Sequence, residues 1–202
     1  MQKIRSLTGV KKVGHAGTLD PLATGLLILC TGKFTKRIQE FMAEEKEYTG
    51  TFVIGASTAT YDLESEPLNP KEYGHITPED LGGAVLKLKG EILQVPPIYS
   101  AIKKGGERAY RLARQGRDIS LEPRKAHIIE FEITHINLPV IGFRVVCSTG
   151  TYIRSLAKDF GDLLGCGAYL GSLCRTRIGG FRLEKSLSIE EAEKWIEGKG
   201  KV

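Results

Sequence analysis

No Cys-x-x-Cys pair occurs in the 202 residues, and the four histidines do not cluster with the four cysteines. A metal site, zinc in particular, is therefore not expected. Cys30, Cys147, Cys166 and Cys174 lie far apart among apolar or small residues, which points to reduced core thiols. No apolar run approaches the ~18 residues of a membrane span; the stretch from Ala23 to Cys30 falls far short. The first ten residues lack the apolar core of a signal peptide, so a cytoplasmic protein without membrane contact is expected. Internal repeats and low-complexity tracts are absent. Acid is scarce at the N-terminal end, where Asp20 is the only acidic residue before Glu40.

That lone acid sits in Gly14-His15-Ala16-Gly17-Thr18-Leu19-Asp20-Pro21-Leu22-Ala23-Thr24-Gly25, close to the apolar run Leu26 to Cys30. An unpaired carboxylate beside a buried element is costly, so it needs a reason. Asp before Pro is a common turn opener whose side chain caps local backbone. A positioned carboxylate is also a nucleophile or a base. Residue type alone leaves both readings open.

What is present suits one large domain, or a domain with a small appendage: 41% hydrophobic and 26% charged residues. The net charge is +5, with a pI of about 9.0. Lys103, Lys104, Arg108, Arg111, Arg114, Arg117, Arg124 and Lys125 crowd one span, against only Glu107, Asp118 and Glu122. Arg175, Arg177 and Arg182 form a second cluster. These are either solvated faces or surfaces that track phosphates and release counterions on binding.

The pattern of elements predicts a loop over Val13 to Leu22 and a buried strand over Gly25 to Cys30. Phe34, Ile38, Phe41 and Met42 sit at helical spacing, which predicts an amphipathic helix from Lys33 to Glu45. A strand follows over Tyr48 to Gly55, then an exposed polar loop from Ala56 to Gly74. Thr77-Pro78-Glu79-Asp80 opens a helix reaching about Lys89. Val95-Pro96-Pro97-Ile98 interrupts the chain before another short strand. Further helices are expected over Glu107 to Gln115, over Tyr152 to Leu164 with Gly165 closing it, and after the Ser188 cap, with Ile189, Ala192, Trp195 and Ile196 as its stripe. Strands at Ala126 to Leu138 and Gly142 to Ser148 flank Pro139 as a hairpin. The irregular alternation favours an α+β fold with a mixed, mostly antiparallel sheet and flanking helices.

Three further segments carry chemistry. Tyr48, in Lys46-Glu47-Tyr48, is either a half-buried strand tyrosine or a stacking platform for a base. Gln94 to Gly106 leads from Pro-Pro into a basic Gly-Gly turn, where amides can approach phosphate. In Gly150-Thr151-Tyr152-Ile153-Arg154, the arginine falls in a helix first turn, where the macrodipole disfavours a cation by a few tenths of a kcal/mol to about 1. An acid partner would explain it, and Asp20 is the acid without an obvious local one. Such a pair would keep the carboxylate ionised and fixed in direction.

The Gly14 to Gly25 motif resembles the catalytic motif of the TruB family of tRNA pseudouridine synthases. Lys46 to Tyr48, Val95 to Lys103 and Gly150 to Arg154 are similar to that family's later motifs, in the same order. So is Leu164-Gly165-Cys166-Gly167-Ala168, followed by Leu173-Cys174-Arg175-Thr176. The resemblance covers roughly His15 to Phe181. It implies the pseudouridine synthase catalytic fold and isomerisation of uridine to pseudouridine at position 55 of the tRNA T loop. It implies Asp20 as the catalytic carboxylate, Arg154 as its partner and Tyr48 as the residue stacked on the target base. Tyr152 would be a further active-site tyrosine, Leu173 an apolar pocket wall, and His15 the residue inserted among the bases of the RNA loop. An imidazole bonded to turn backbone is the alternative for His15. Lys103, Lys104, Arg108 and Arg175 are the expected phosphate contacts. The family uses neither a metal nor an organic cofactor. The chemistry also requires the uridine to leave its stack.

The family's Lys-Pro-x-Gly-x-Thr-Ser segment has no counterpart here, and no room remains for its PUA domain. The expected organisation is an N-terminally truncated catalytic domain over 1–185 and a short C-terminal helix and tail over 186–202. A monomer binding the T-arm of tRNA follows. A guide-RNA-directed synthase and a non-catalytic tRNA-binding module are the competing readings.

Overall fold

The computed structural model describes residues 1–100, 102–104, 106–109, 111 and 120–198. The chain begins with helix α1 (Gln2–Thr8), then strands β1 (Val13–His15), β2 (Thr24–Gly25) and β3 (Leu29–Thr31). A 3-10 turn (Gly32–Arg37) runs into α2 (Ile38–Ala43), followed by β4 (Lys46–Ile54), α3 (Pro78–Lys87) and β5 (Gly90–Gln94). Next come β6 (Lys103–Lys104), β7 (Glu107–Arg108), β8 (Arg124–Asn137) and β9 (Val140–Cys147). The chain continues through α4 (Ile153–Leu164), β10 (Ala168–Ile178), β11 (Phe181–Arg182) and α5 (Ile189–Gly198).

The main sheet has the order β11-β10-β4-β9-β8-β5, with β2 attached to β10. Every pairing is antiparallel except β2 with β10, so the expected mixed, mostly antiparallel α+β fold is the observed one. Helices α3 and α4 cover the core. Phe52 of β4 stacks on Phe143 of β9 at 4.2 Å between ring centroids and meets Phe160 of α4 at 5.5 Å. All three rings are buried; burying each stabilises the fold by about 1.5–3 kcal/mol.

Helix α4 follows from its sequence. Ile153, Leu156, Ala157 and Phe160 recur at helical spacing and are buried, and Gly165 ends the helix in the left-handed conformation. Helix α3 carries the Thr77–Asp80 capping box. The β8–β9 hairpin turns at Leu138 and Pro139, as the sequence predicts.

Other expectations are corrected. Val13 to His15 is a strand, not loop, because it pairs with β3. The single strand expected over Gly25 to Cys30 is two short pieces with different partners: β2 joins β10, and β3 joins β1. The helix expected from Lys33 starts as a 3-10 turn, and neither it nor α2 buries a residue fully. Residues 56–74 are largely irregular, yet Thr58, Thr60 and Asp62 are buried. Glu107 and Arg108 pair in a short hairpin with Lys104 and Lys103, where the expected helix should start; Ala109 and Arg111 are helical, and residues 110 and 112–115 lie outside the described residues. The apolar stripe of α5 stays on the surface, with Ile189 and Trp195 exposed. Cys30, Cys147 and Cys166 are buried free thiols and Cys174 is half-buried. No helix among the described residues is long and apolar enough to cross a membrane.

Candidate active site

Asp20 opens a tight turn. Its carbonyl accepts from the Ala23 amide at 3.0 Å, with Pro21 in the position that fixes φ for such a turn. Its carboxylate is not used on local backbone. Arg154 reaches it from the first turn of α4, 134 residues away: Nε donates to Oδ2 at 3.1 Å and Nη2 to Oδ1 at 2.8 Å. This is the planar fork that fixes a carboxylate in direction as well as charge. Asp20 therefore serves the turn through its backbone and the cleft through its side chain.

The guanidinium is more heavily held than its sequence suggests. It is 3% exposed, and the Asp20 side chain 35%. Nη2 also donates to the Tyr99 carbonyl at 3.2 Å and Nη1 to the Thr60 carbonyl at 3.4 Å. A second carboxylate, Asp62, lies 3.4 Å from Nη1 and is itself buried. Asp62 Oδ1 accepts from the Glu64 amide at 3.0 Å. A buried cation at a helix N-terminus is thus balanced by two acids, one facing the cleft and one sealed inside.

The loop carrying Asp20 is fixed by Arg175, which is 1% exposed. Its Nε donates to the Leu26 carbonyl at 2.8 Å and its Nη2 to the Gly17 carbonyl at 3.2 Å, on either side of Asp20. Gly25 lies against the backbone of the same arginine. It has φ +100°, and a Cβ there would sit 2.3 Å from the Arg175 carbonyl oxygen. Only glycine meets both demands. Two irregularities in β10, at Leu170/Ser172 and Arg175/Arg177, flank the segment that lines the site. Bulges of this kind re-aim strand side chains. Leu173 and Arg175 both turn inward, and Leu173 is buried.

Tyr48 is the cross-strand partner of Arg175. Burial pushes its phenol up to about 12, although the neighbouring guanidinium pulls the other way. It remains a neutral, half-buried ring at the cleft. Tyr152 stands immediately before α4. Gln94, 2% exposed, grips its backbone twice: the amide oxygen accepts from Tyr152 N at 3.1 Å and the amide nitrogen donates to Tyr152 O at 3.3 Å. Burial also raises the Tyr152 phenol, offset in part by Arg124. These groups surround a cleft of about 780 Å³ whose walls include Asp20, Tyr48, Tyr99, Tyr152, Arg154 and Leu173. That volume falls within the ~300–1,000 Å³ of small-molecule sites.

His15 ends β1, half-buried, beside this region. Its Nδ1 is buried without a hydrogen-bond partner among the described residues. Of the second basic cluster only Arg182 is exposed; Arg177 lies 3.7 Å from Glu47. The backbones of Lys103, Lys104 and Arg108 form the β6–β7 hairpin. Their side chains, and all of Arg114 and Arg117, lie outside the described residues. Sequence reasoning missed Asp62 and Gln94 as parts of the site. Gln94 opens the segment singled out over Gln94 to Gly106, but its residue type assigned it no role there; Asp62 had no signal beyond being an acid in a polar loop.

Residues 5–153 match the pattern of the TruB family pseudouridylate synthase (N terminal domain). A tRNA pseudouridine synthase B from Flavobacterium johnsoniae is 56% identical over 88% of this chain and 78% of its own length. One from Phocaeicola vulgatus is 52% identical over 94% and 81%. Among solved structures, a Cbf5-Nop10-Gar1 complex aligns at TM-score 0.74 and 27% identity over 96% of this chain and 49% of that one. An archaeal box H/ACA sRNP Nop10-Cbf5 complex aligns at 0.70 and 24%, a likeness of fold. The chain spans about half the length of those two solved chains. With a family match over most of its length and relatives above half identity, the chain belongs to the TruB family of pseudouridylate synthases.

Proposed function

We propose that the protein isomerises uridine to pseudouridine at position 55 in the T loop of tRNA, with Asp20 as the catalytic carboxylate. The reading is carried by the Arg154 fork, which holds a carboxylate at the edge of a cleft large enough for an extruded nucleotide. The reaction breaks the N1–C1′ bond, turns the base, forms a C5–C1′ bond, releases the proton of C5 and takes up a proton at N1. A carboxylate can attack C1′, remove the C2′ proton or add to C6; each route starts from the ionised form. Tyr48 stacks on the extruded base as a neutral ring, while Leu173 and Tyr152 shape the pocket. His15 takes the place the nucleotide leaves in the RNA loop, and the basic β6–β7 hairpin and its neighbours follow the phosphates. Arg175 acts through the Asp20 loop that it holds. The catalytic domain spans 1–185, with a short helix and tail over 186–202. The protein works as a monomer on the T-arm in the cytoplasm.

Relatives named for tRNA reach 56% identity, against 24–27% for the Cbf5 complexes, which favours action on tRNA without a guide. The test is release of tritium from tRNA transcript labelled at C5 of uridine, with no other RNA present. Release by the wild type and none by Asp20→Asn is the expected result. Binding without release by the wild type refutes the reading.

A further inference from the structure

Helical spacing assigns Phe34 and Phe41 to a buried face, yet Phe34 is 59% exposed and Phe181 of the adjoining β11 is 48% exposed. The 3-10 turn over Gly32–Arg37 changes the angular spacing, so Phe34 leaves the face that Ile38 occupies against Gly14. The exposed groups are not scattered. Arg37 lies over the Phe34 ring at 5.8 Å and over the Phe41 ring at 5.3 Å. Phe41 meets Phe181 edge-on at 5.6 Å. Four planar groups from three elements, the 3-10 turn, α2 and β11, form one continuous row. Contiguous exposed apolar surface of this kind marks an interaction site.

We propose that Phe34, Arg37, Phe41 and Phe181 form a platform on which an unpaired base of the tRNA stacks, outside the catalytic cleft. The inference rests on the tRNA reading above and extends it to a second contact surface.

Charge and position select the occupant. Lys33, Lys36 and Arg37 are all exposed and exposed Arg182 follows Phe181, outnumbering Glu40, which pairs with Arg37 at 2.8 Å. Flat aromatic faces rimmed by cations suit stacked bases joined by phosphates. The same charge repels a second copy of this face, which argues against self-association. The helix that carries Phe41 also reaches the cleft. Met42, in the same helix as Phe41, lines the cleft, and Ile38 packs over Gly14 beside His15. On the tRNA reading, an RNA loop whose nucleotide enters this cleft lies near the helix that carries Phe41.

The test measures tRNA affinity by fluorescence anisotropy, together with single-turnover tritium release at saturating protein. Phe34→Ala and the volume-conserving Phe34→Leu should each weaken tRNA binding about tenfold and leave the saturated rate within about twofold. Phe34→Trp should restore affinity, and its indole should be quenched on tRNA addition beyond the wild-type Trp195 signal. Wild-type affinity in both Phe34→Ala and Phe34→Leu overturns the proposal. So does sedimentation showing a wild-type dimer that Phe34→Ala dissociates while RNA binding is unchanged. If the wild type binds tRNA but releases no tritium, the activity reading fails; the loss of affinity in Phe34→Leu then decides the platform separately.

Discussion

Arg154→Lys separates charge from geometry at the centre of the site. The guanidinium makes five polar contacts: two to Asp20, one each to the Thr60 and Tyr99 carbonyls, and one to Asp62. An ammonium has three N–H bonds, so five minus three leaves at least two contacts unmade. A point donor also cannot grip both oxygens of Asp20 in one plane. The charge is kept, so long-range attraction for RNA is unchanged. A hydrogen bond to a charged group contributes about 1.5–3 kcal/mol. Two lost at the low end come to about 3 kcal/mol, or about a hundredfold in rate when the loss falls on the transition state. Single-turnover tritium release should therefore slow about a hundredfold, while the Kd for tRNA stays within about threefold. A rate within threefold of wild type refutes the reasoning, and so does an equal loss of rate and affinity.

Asp62→Leu leaves the buried guanidinium with one acid in place of two and should cost about 3 kcal/mol in equilibrium urea unfolding; a loss under about 1 kcal/mol contradicts the balance described. Gly25→Ala drives a Cβ to 2.3 Å from the Arg175 carbonyl at a positive φ, and a loss of at least about 2 kcal/mol is expected in the same assay. Burial pushes the Asp159 carboxyl up from its ordinary 3.8 to about 6, with Lys158 opposing and Asp162 reinforcing. The raised value means the folded state holds the proton more tightly, so this site favours folding below pH 3.8 and loses that contribution as pH rises through 6. Asp159→Asn should thus stabilise by about 1 kcal/mol at pH 8, after allowance for solvent screening, and lose the advantage at pH 3.5; urea midpoints at the two pH values check it.

Legibility tracked how local each signal was. Helix α4 and the β8–β9 hairpin were readable because spacing, caps and turn residues agree within a few residues of one another. Strand β10 was not, because its bulges break the period of two and Gly171 dilutes its strand character. The Asp20–Arg154 pair was inferred from an acid and a base that each lacked a local partner. Asp62 escaped the same logic. Its loop is polar enough to read as solvated, and its burial depends on the isolated bridge to Leu170, a contact 108 residues away that no spacing announces. Phe34 misled in the opposite sense, since helical spacing holds only where the helix is α.

The loop bearing Asp20 is stitched to β10 by strand pairing at Thr24 and Gly25 and clasped on either side by a single sealed arginine. A carboxylate mounted this firmly does not travel to meet its target. On the proposed reading the nucleic acid supplies the motion, so the energy of unstacking one pyrimidine and swinging it outward falls on the RNA. That reading makes discrimination between polynucleotides turn on how readily their hairpin loops deform, with loops already strained toward that shape as the preferred substrates.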